Sequence, residues 1–277
     1  MAIITISRGS MSGGEALASC LAGKLGYRTV AREVLVEAAA KIGASEQTLT
    51  QKFESSPGLW GRLTSNRRLY VIAVQAALAE QVLTDDLVYH GHAGHLLLKG
   101  VPNVLRVRLI APIEMRARAV EARQNISREA AMEYIREVDE DRVRWTKLLY
   151  AVDWRDPALY DVVLNLETMT IPTACSALTG IVKQPDYATT PDTTRRVEDF
   201  VLGCRVRLAL ASDPRTRAVE FDVKASGGVV SLQGEMPNAG MMTHVNLRDQ
   251  QWIVETVRGI PGVKEVRLNM ETFDAYH

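Results

Sequence analysis

Residues Gly9 to Ala16 read Gly-Ser-Met-Ser-Gly-Gly-Glu-Ala and follow the apolar run Ile3-Ile4-Thr5-Ile6. The spacing is that of a phosphate-binding loop, G-x-x-x-x-G-K-[ST], in which backbone amides cradle phosphate, a lysine neutralises it and a hydroxyl meets magnesium. Here Glu15 stands at the lysine position and Ala16 at the hydroxyl position. The amides of Ser12, Gly13 and Gly14, with the dipole of the helix that follows, can still hold an anion. Glu15 adds like charge beside that anion unless it points away or binds through a metal.

Cations elsewhere can compensate. Arg8 sits at the mouth of the loop, and Arg142, Arg144 and Lys147 share a later helical stretch with Asp139, Glu140 and Asp141. Guanidinium groups there can spread charge over a phosphoryl group, or else belong to a solvated helix face. Arg116 and Arg123 lie on the preceding helix. His90, His92 and His95 have the spacing H-x-H-x-x-H, but no neighbouring cysteine or acid completes a zinc set. They read as polar residues lining a cleft, and no metal site is assigned. Trp145 and Trp154 read as lid or core packing.

Alternating short apolar runs and helical patterns must position these groups. Residues 3–7, 28–30, 87–90, 104–111 and 161–166 read as strands, the signature of an α/β layer with a largely parallel sheet. Leu17, Leu21 and Leu25 recur at i, i+4 and i+8 on one helix face. Further helices are expected over 33–42, from a cap at Asn66 towards Thr84, after Pro112, after Ser127, and from Thr170 to Lys183.

The 277 residues are 47% hydrophobic, and 33 Lys+Arg balance 33 Asp+Glu. That length suits one large or two smaller domains, and neutral net charge gives no general attraction to nucleic acid or anionic lipid. Cys20, Cys175 and Cys204 are far apart and odd in number, which argues against a disulfide framework and for a reduced cytoplasm. No secretion signal or membrane-length apolar stretch is visible, so the chain reads as soluble.

Residues 184–194 carry two prolines and four threonines without apolar periodicity, and read as a linker. Beyond it Val197, Val201, Cys204 and Leu208 mark a helix face; two strands follow around Gly227-Gly228, then a second helix and a third strand. That αββαβ order implies a small α+β module.

Taken together, Ile6-Ser7-Arg8, Ser12-Gly13-Gly14, segment 89–98 (Tyr-His-Gly-His-Ala-Gly-His-Leu-Leu-Leu), segment 102–112 and segment 152–161 resemble the cytidylate-kinase-like family. The resemblance covers residues 1–183 and implies a P-loop three-layer fold, a parallel sheet with helices on both faces. It implies ATP and Mg as cofactors and phosphoryl transfer to a small nucleotide-like acceptor. Carried onto this chain, it makes Arg8, Arg142 and Arg144 catalytic, and puts the nucleotide on Ser12, Gly13, Gly14, Glu15 and Ala16. Arg32, His92 and Arg116 would hold the acceptor. Ala31, His90 and His92 depart from the aspartate, acid and arginine common in the family, so a catalytically impaired nucleotide-sensing regulator is the alternative. Residues 195–277 resemble a BON domain, carried by Val229-Val-Ser-Leu-Gln-Gly234 and Val257-Arg-Gly-Ile-Pro-Gly-Val-Lys-Glu-Val266. That resemblance implies a protein or lipid partner, with no nucleic acid bound.

Overall fold

A computed structural model describes residues 2–31, 33–45, 64–84, 86–217, 219–238 and 247–274. The chain divides into two compact units, residues 1–62 with 84–190, and residues 63–83 with 191–277.

The first unit is an α/β layer. Strands β1 (Ile3–Arg8), β2 (Arg28–Val30), β3 (Leu87–Tyr89), β4 (Val104–Ile110) and β5 (Val162–Asn165) form one sheet in the order β2-β3-β1-β4-β5. All four pairings are parallel; Ile3 faces Leu87 on one side and Val104 on the other. Central strands of such a sheet are covered on both faces, which is why β1 and β3 are nearly continuous apolar runs. Helices α1 (Gly14–Leu25) and α2 (Glu33–Lys41) follow the first two strands. The fold is the expected α/β architecture, and β1 lies centrally, so the loop after it opens beside the ends of β3 and β4. Ligands of open parallel sheets bind at such carboxyl-end crevices.

The core under α1 is built from Ile4, Ile6, Leu17, Leu21, Leu105, Val107 and Leu178, all buried. Leu178 and Cys175 come from α7 (Ile171–Val182), whose Thr170 Oγ1 accepts the Thr173 amide at 3.4 Å. Cys175 is disulfide-bonded to Cys20 of α1 across a Cα–Cα distance of 6.2 Å. This corrects the expectation of unpaired cysteines: 155 residues separate the two in sequence, but their helices share one face of the sheet. Cys204 remains a buried thiol, its pKa pushed up to about 11 by burial.

Between β3 and β4 lies the one-turn helix α4 (Gly94–Leu97). Helices α5 (Ile113–Gln124) and α6 (Arg128–Tyr150) form a hairpin around Ala117, Val120, Ala131 and Ile135. Ser127 caps α6, its Oγ accepting the Ala130 amide at 3.2 Å.

The second unit holds α3 (Thr64–Val82), α8 (Pro191–Ser212) and α9 (Leu247–Arg258) with β6 (Glu220–Ser226), β7 (Val229–Asn238) and β8 (Glu265–Asp274). From α8 onward the order is αββαβ, with β6 antiparallel and β8 parallel to β7. Phe221, Val223, Val230 and Leu232 pack beneath Leu202, Val206, Ile253 and Val257.

Two details differ from the sequence expectation. Helix α3 begins at Thr64, two residues before the expected cap Asn66, and belongs to the second unit; Glu80 takes Arg205 of α8 in a two-point ion pair, 2.6 and 2.7 Å. Helix α8 starts at Pro191, inside the stretch read as a linker, because proline is pre-set for a first helical turn and Asp192 suits the dipole there. Among the described residues, no helix is long and apolar enough to cross a membrane.

Candidate functional site

The loop after β1 turns through two left-handed residues, Met11 at φ 55° and Gly13 at φ 80°. Glycine adopts that conformation without steric cost, whereas Met11 is held there by its surroundings. Gly13 lies against Leu166 and Ile171, each 3.3 Å from where a Cβ would stand. The Leu17 amide is the first in α1 to bond back, to Gly13 O at 3.0 Å. The amides before it point out of the helix start with no intrahelical carbonyl, the arrangement that receives an anion. Ser12 is buried at 1% exposure and its Oγ has no partner among the described residues.

The Arg8 side chain crosses this opening. A Cβ on Gly14 would stand 2.5 Å from Arg8 Nε, so only glycine fits beneath it. A guanidinium therefore lies over the start of α1, while Glu15 and Ala16 on its first turn are exposed.

A second set of contacts braces the loop from the α5–α6 hairpin. Arg116 donates from Nε to Ser10 O and from Nη2 to Asp139 Oδ2, both at 2.7 Å. Asp139 Oδ1 accepts the Ser10 amide at 3.2 Å, and Arg142 Nη1 donates to Arg8 O at 2.7 Å. Gly9 sits under Arg116, whose Cζ is 2.8 Å from the Cβ position.

Beside the loop opens a cavity of about 580 Å³, to which Ser7, Arg8, His92, Arg123, Arg142 and Trp145 contribute. One wall follows β3, where residues 90–94 fold over the buried Tyr89 ring. Tyr89 Oη donates to His92 O at 3.3 Å, and Gly94 has no room for a Cβ because Tyr89 Cε1 is 2.7 Å away. Ala93, at φ 55°, starts α4 and turns His95 inward.

All three histidines are held neutral. Burial lowers the His92 pKa well below its usual 6.5, with Arg142 and His95 adding to the effect. His90 is lowered by burial and then Arg8, against Glu15 and Glu33. His95 is lowered to about 3 by burial, then by Arg106 and Arg108. His92 meets Trp145 edge-on with ring centroids 4.6 Å apart. Among the described residues, no three His, Cys, Asp or Glu side chains are grouped to hold a metal ion.

The structure thus brings Arg8, His92 and Arg142 to one cleft and Ser12, Gly13 and Gly14 to its loop. Arg116 faces Ser10 and Asp139. Arg144 is exposed and pairs with Glu140 and Asp141 on its own helix. Arg32 lies outside the described residues. Sequence reasoning missed Asp139 as the partner of the loop and Trp154 as cleft lining. Neither has a local signal, since Asp139 reaches a residue 129 positions away.

A glycine loop between a central strand and a helix, at the carboxyl edge of a five-stranded parallel sheet, defines a P-loop α/β phosphate-binding protein. The comparisons narrow this: residues 3–168 match the cytidylate kinase-like family, and the chain belongs to that family. A cytidylate kinase from Ignicoccus hospitalis is 28% identical over 172 residues, 61% of this chain and 92% of that one. One from Methanopyrus kandleri is 30% identical over 166 residues, 59% of this chain and 83% of that one. A solved structure of an uncharacterized protein from Eubacterium ventriosum aligns at TM-score 0.51 and 16% identity, over 65% of this chain and 97% of that one, a likeness of fold alone.

Proposed function

We propose that the first unit is a small-molecule phosphotransferase that takes a phosphoryl group from ATP to a nucleotide-like acceptor held in the cleft. One observation carries the reading: Arg8 places a guanidinium over the free amides at the start of α1, beside a cavity large enough for a nucleoside phosphate. Phosphoryl transfer needs positioning and charge stabilisation more than covalent chemistry. The amides of residues 12–14 and the unpartnered Ser12 Oγ fit a phosphate, and Arg8 supplies the cation that Glu15 does not. Bound ATP would supply the phosphoryl group. Arg142, on the far side of the cleft, fixes the Arg8 carbonyl and lines the acceptor space. Arg123 lines the same space.

Magnesium fits less well. Ala16 offers no oxygen, His90 stands where the family has an acid, and the neighbouring side chains make no metal cluster. The protein would receive the ion already bound to triphosphate and water, as magnesium often is.

A nucleotide-sensing regulator is the second reading, favoured by the exposed Glu15 and Ala16, which supply neither the usual cation nor the usual hydroxyl. In that case the second unit passes ligand occupancy to a protein or lipid partner. Its αββαβ order and mixed three-stranded sheet support a BON-like assignment for residues 195–277. A cytoplasmic setting suits both readings. A coupled ADP-release assay with CMP and a panel of nucleosides decides between them: turnover supports the transferase, and ATP binding without turnover supports the regulator.

A further inference from the structure

His95 and Trp154 both line the acceptor cleft, are 4% and 5% exposed, and each keeps a buried ring nitrogen without a partner among the described residues. The hydrogen bonds behind them fix which way each proton points. Tyr160 Oη donates to the Trp154 carbonyl at 2.6 Å, which spends its only proton. Ser7 is also hydrogen-bonded to Tyr160, so the Ser7 hydroxyl must donate there. Ser7 Oγ lies 2.8 Å from His95 Nδ1, and with its proton committed it can only accept. His95 therefore carries its proton on Nδ1, and Nε2 presents a bare lone pair. Tyr160 lies against the imidazole, ring centroids 4.5 Å apart, and holds it in this orientation. Burial together with Arg106 and Arg108 keeps the ring neutral, so it does not become a second donor.

The cleft thus has one orphaned acceptor, His95 Nε2, and one orphaned donor, Trp154 Nε1. Buried groups of this kind call for a partner. An anionic group has no proton for Nε2, and an ammonium has no lone pair for the indole. A neutral group that both donates and accepts satisfies the two together. We propose that His95 and Trp154 select the acceptor by an uncharged donor–acceptor group, a chemistry shared by an aminopyrimidine edge and a sugar hydroxyl. The proposal rests on the reading that this cleft receives the acceptor.

The full chain labelled with ¹⁵N-histidine gives the test. In the free protein at neutral pH, His95 should show a neutral ring protonated at Nδ1; a charged ring or an Nε2 proton overturns the proposal. Cytidine, CMP and ribose 5-phosphate are then titrated separately. A saturable shift at His95 Nε2 with cytidine and CMP assigns the base edge, and a shift with all three assigns the sugar. No shift with any of them leaves water as the only partner and overturns the proposal. His95→Asn keeps a donor for Ser7 but lacks the outer nitrogen, and should weaken the responding probe by about tenfold or more. His95→Gln returns an acceptor to the outer position and should restore most of that loss. Equal losses in the two variants, or a parallel loss of ATP affinity, would mean His95 is only structural. If ATP fails to bind while cytidine still shifts His95, the kinase reading falls and this assignment stands.

Discussion

Replacing Arg116 with methionine separates two roles for that side chain. Methionine keeps much of the apolar stem but removes both donors, leaving the Ser10 carbonyl and Asp139 Oδ2 without the bonds they have at 2.7 Å. Breaking a buried ion pair from one side costs about 3–5 kcal/mol. The Arg116 side chain is 10% exposed but Asp139 is 24% exposed, so water reaches the orphaned carboxylate and the lower end, about 3 kcal/mol, applies. For a unit of this size that corresponds to a fall in Tm of roughly 6–12 °C. Differential scanning calorimetry should show the fall in the transition of the first unit, and isothermal titration should show weaker ATP binding as the Ser10 turn loosens. A cycle with Asp139→Asn should give strong coupling, because the two side chains grip the same residue. If Arg116 instead binds the acceptor, as its sequence position implied, Arg116→Met will leave Tm unchanged and raise only the acceptor KM. That outcome would refute the bracing role.

Reducing the Cys20–Cys175 bond should lower the thermal transition of the first unit, by an amount equivalent to about 2–4 kcal/mol, and Cys175→Ser should abolish the response to reductant. Acid should destabilise the protein through His95. The unfolded ring takes a proton below about 6.5, whereas the native ring refuses it until about 3. Stability is therefore full above the upper value and is lost as pH falls through that window, by about 2 kcal/mol from His95 alone at about pH 5. Denaturant midpoints measured across this range should fall less steeply in His95→Gln, and an unchanged slope would contradict the burial argument. Glu15→Lys should tighten ATP binding by replacing like charge near the loop with a cation; weaker binding would mean Glu15 does not face the phosphates.

Local chemistry made the loop and the sheet legible. Gly13 needs a left-handed backbone and Gly14 must admit Arg8, so the glycines announce the turn. Ile3 to Ile6, Leu87 to Tyr89 and the run from Val104 are apolar because both faces of a parallel sheet are covered. Long-range pairings left no such mark. Ser7 meets His95 across 88 positions, and Ser10 meets Arg116 across 106, so the arginine that looked like a ligand contact is bound to the loop itself. The Cys20–Cys175 bond was hidden for the same reason, since parity of the count says nothing about which helices lie side by side. Helix α3 was read with its sequence neighbours, yet its ion pair and its compact unit lie with α8, much later in the chain.

Titration of ATP into the full chain and into its Arg8→Ala variant tests the phosphate site most directly. Saturable binding at one site, weakened by about tenfold or more when the guanidinium over Gly14 is removed, is the predicted result. Absence of binding to the parent chain at millimolar ATP, or equal affinity in both proteins, would contradict a nucleotide site built from the loop amides and Arg8.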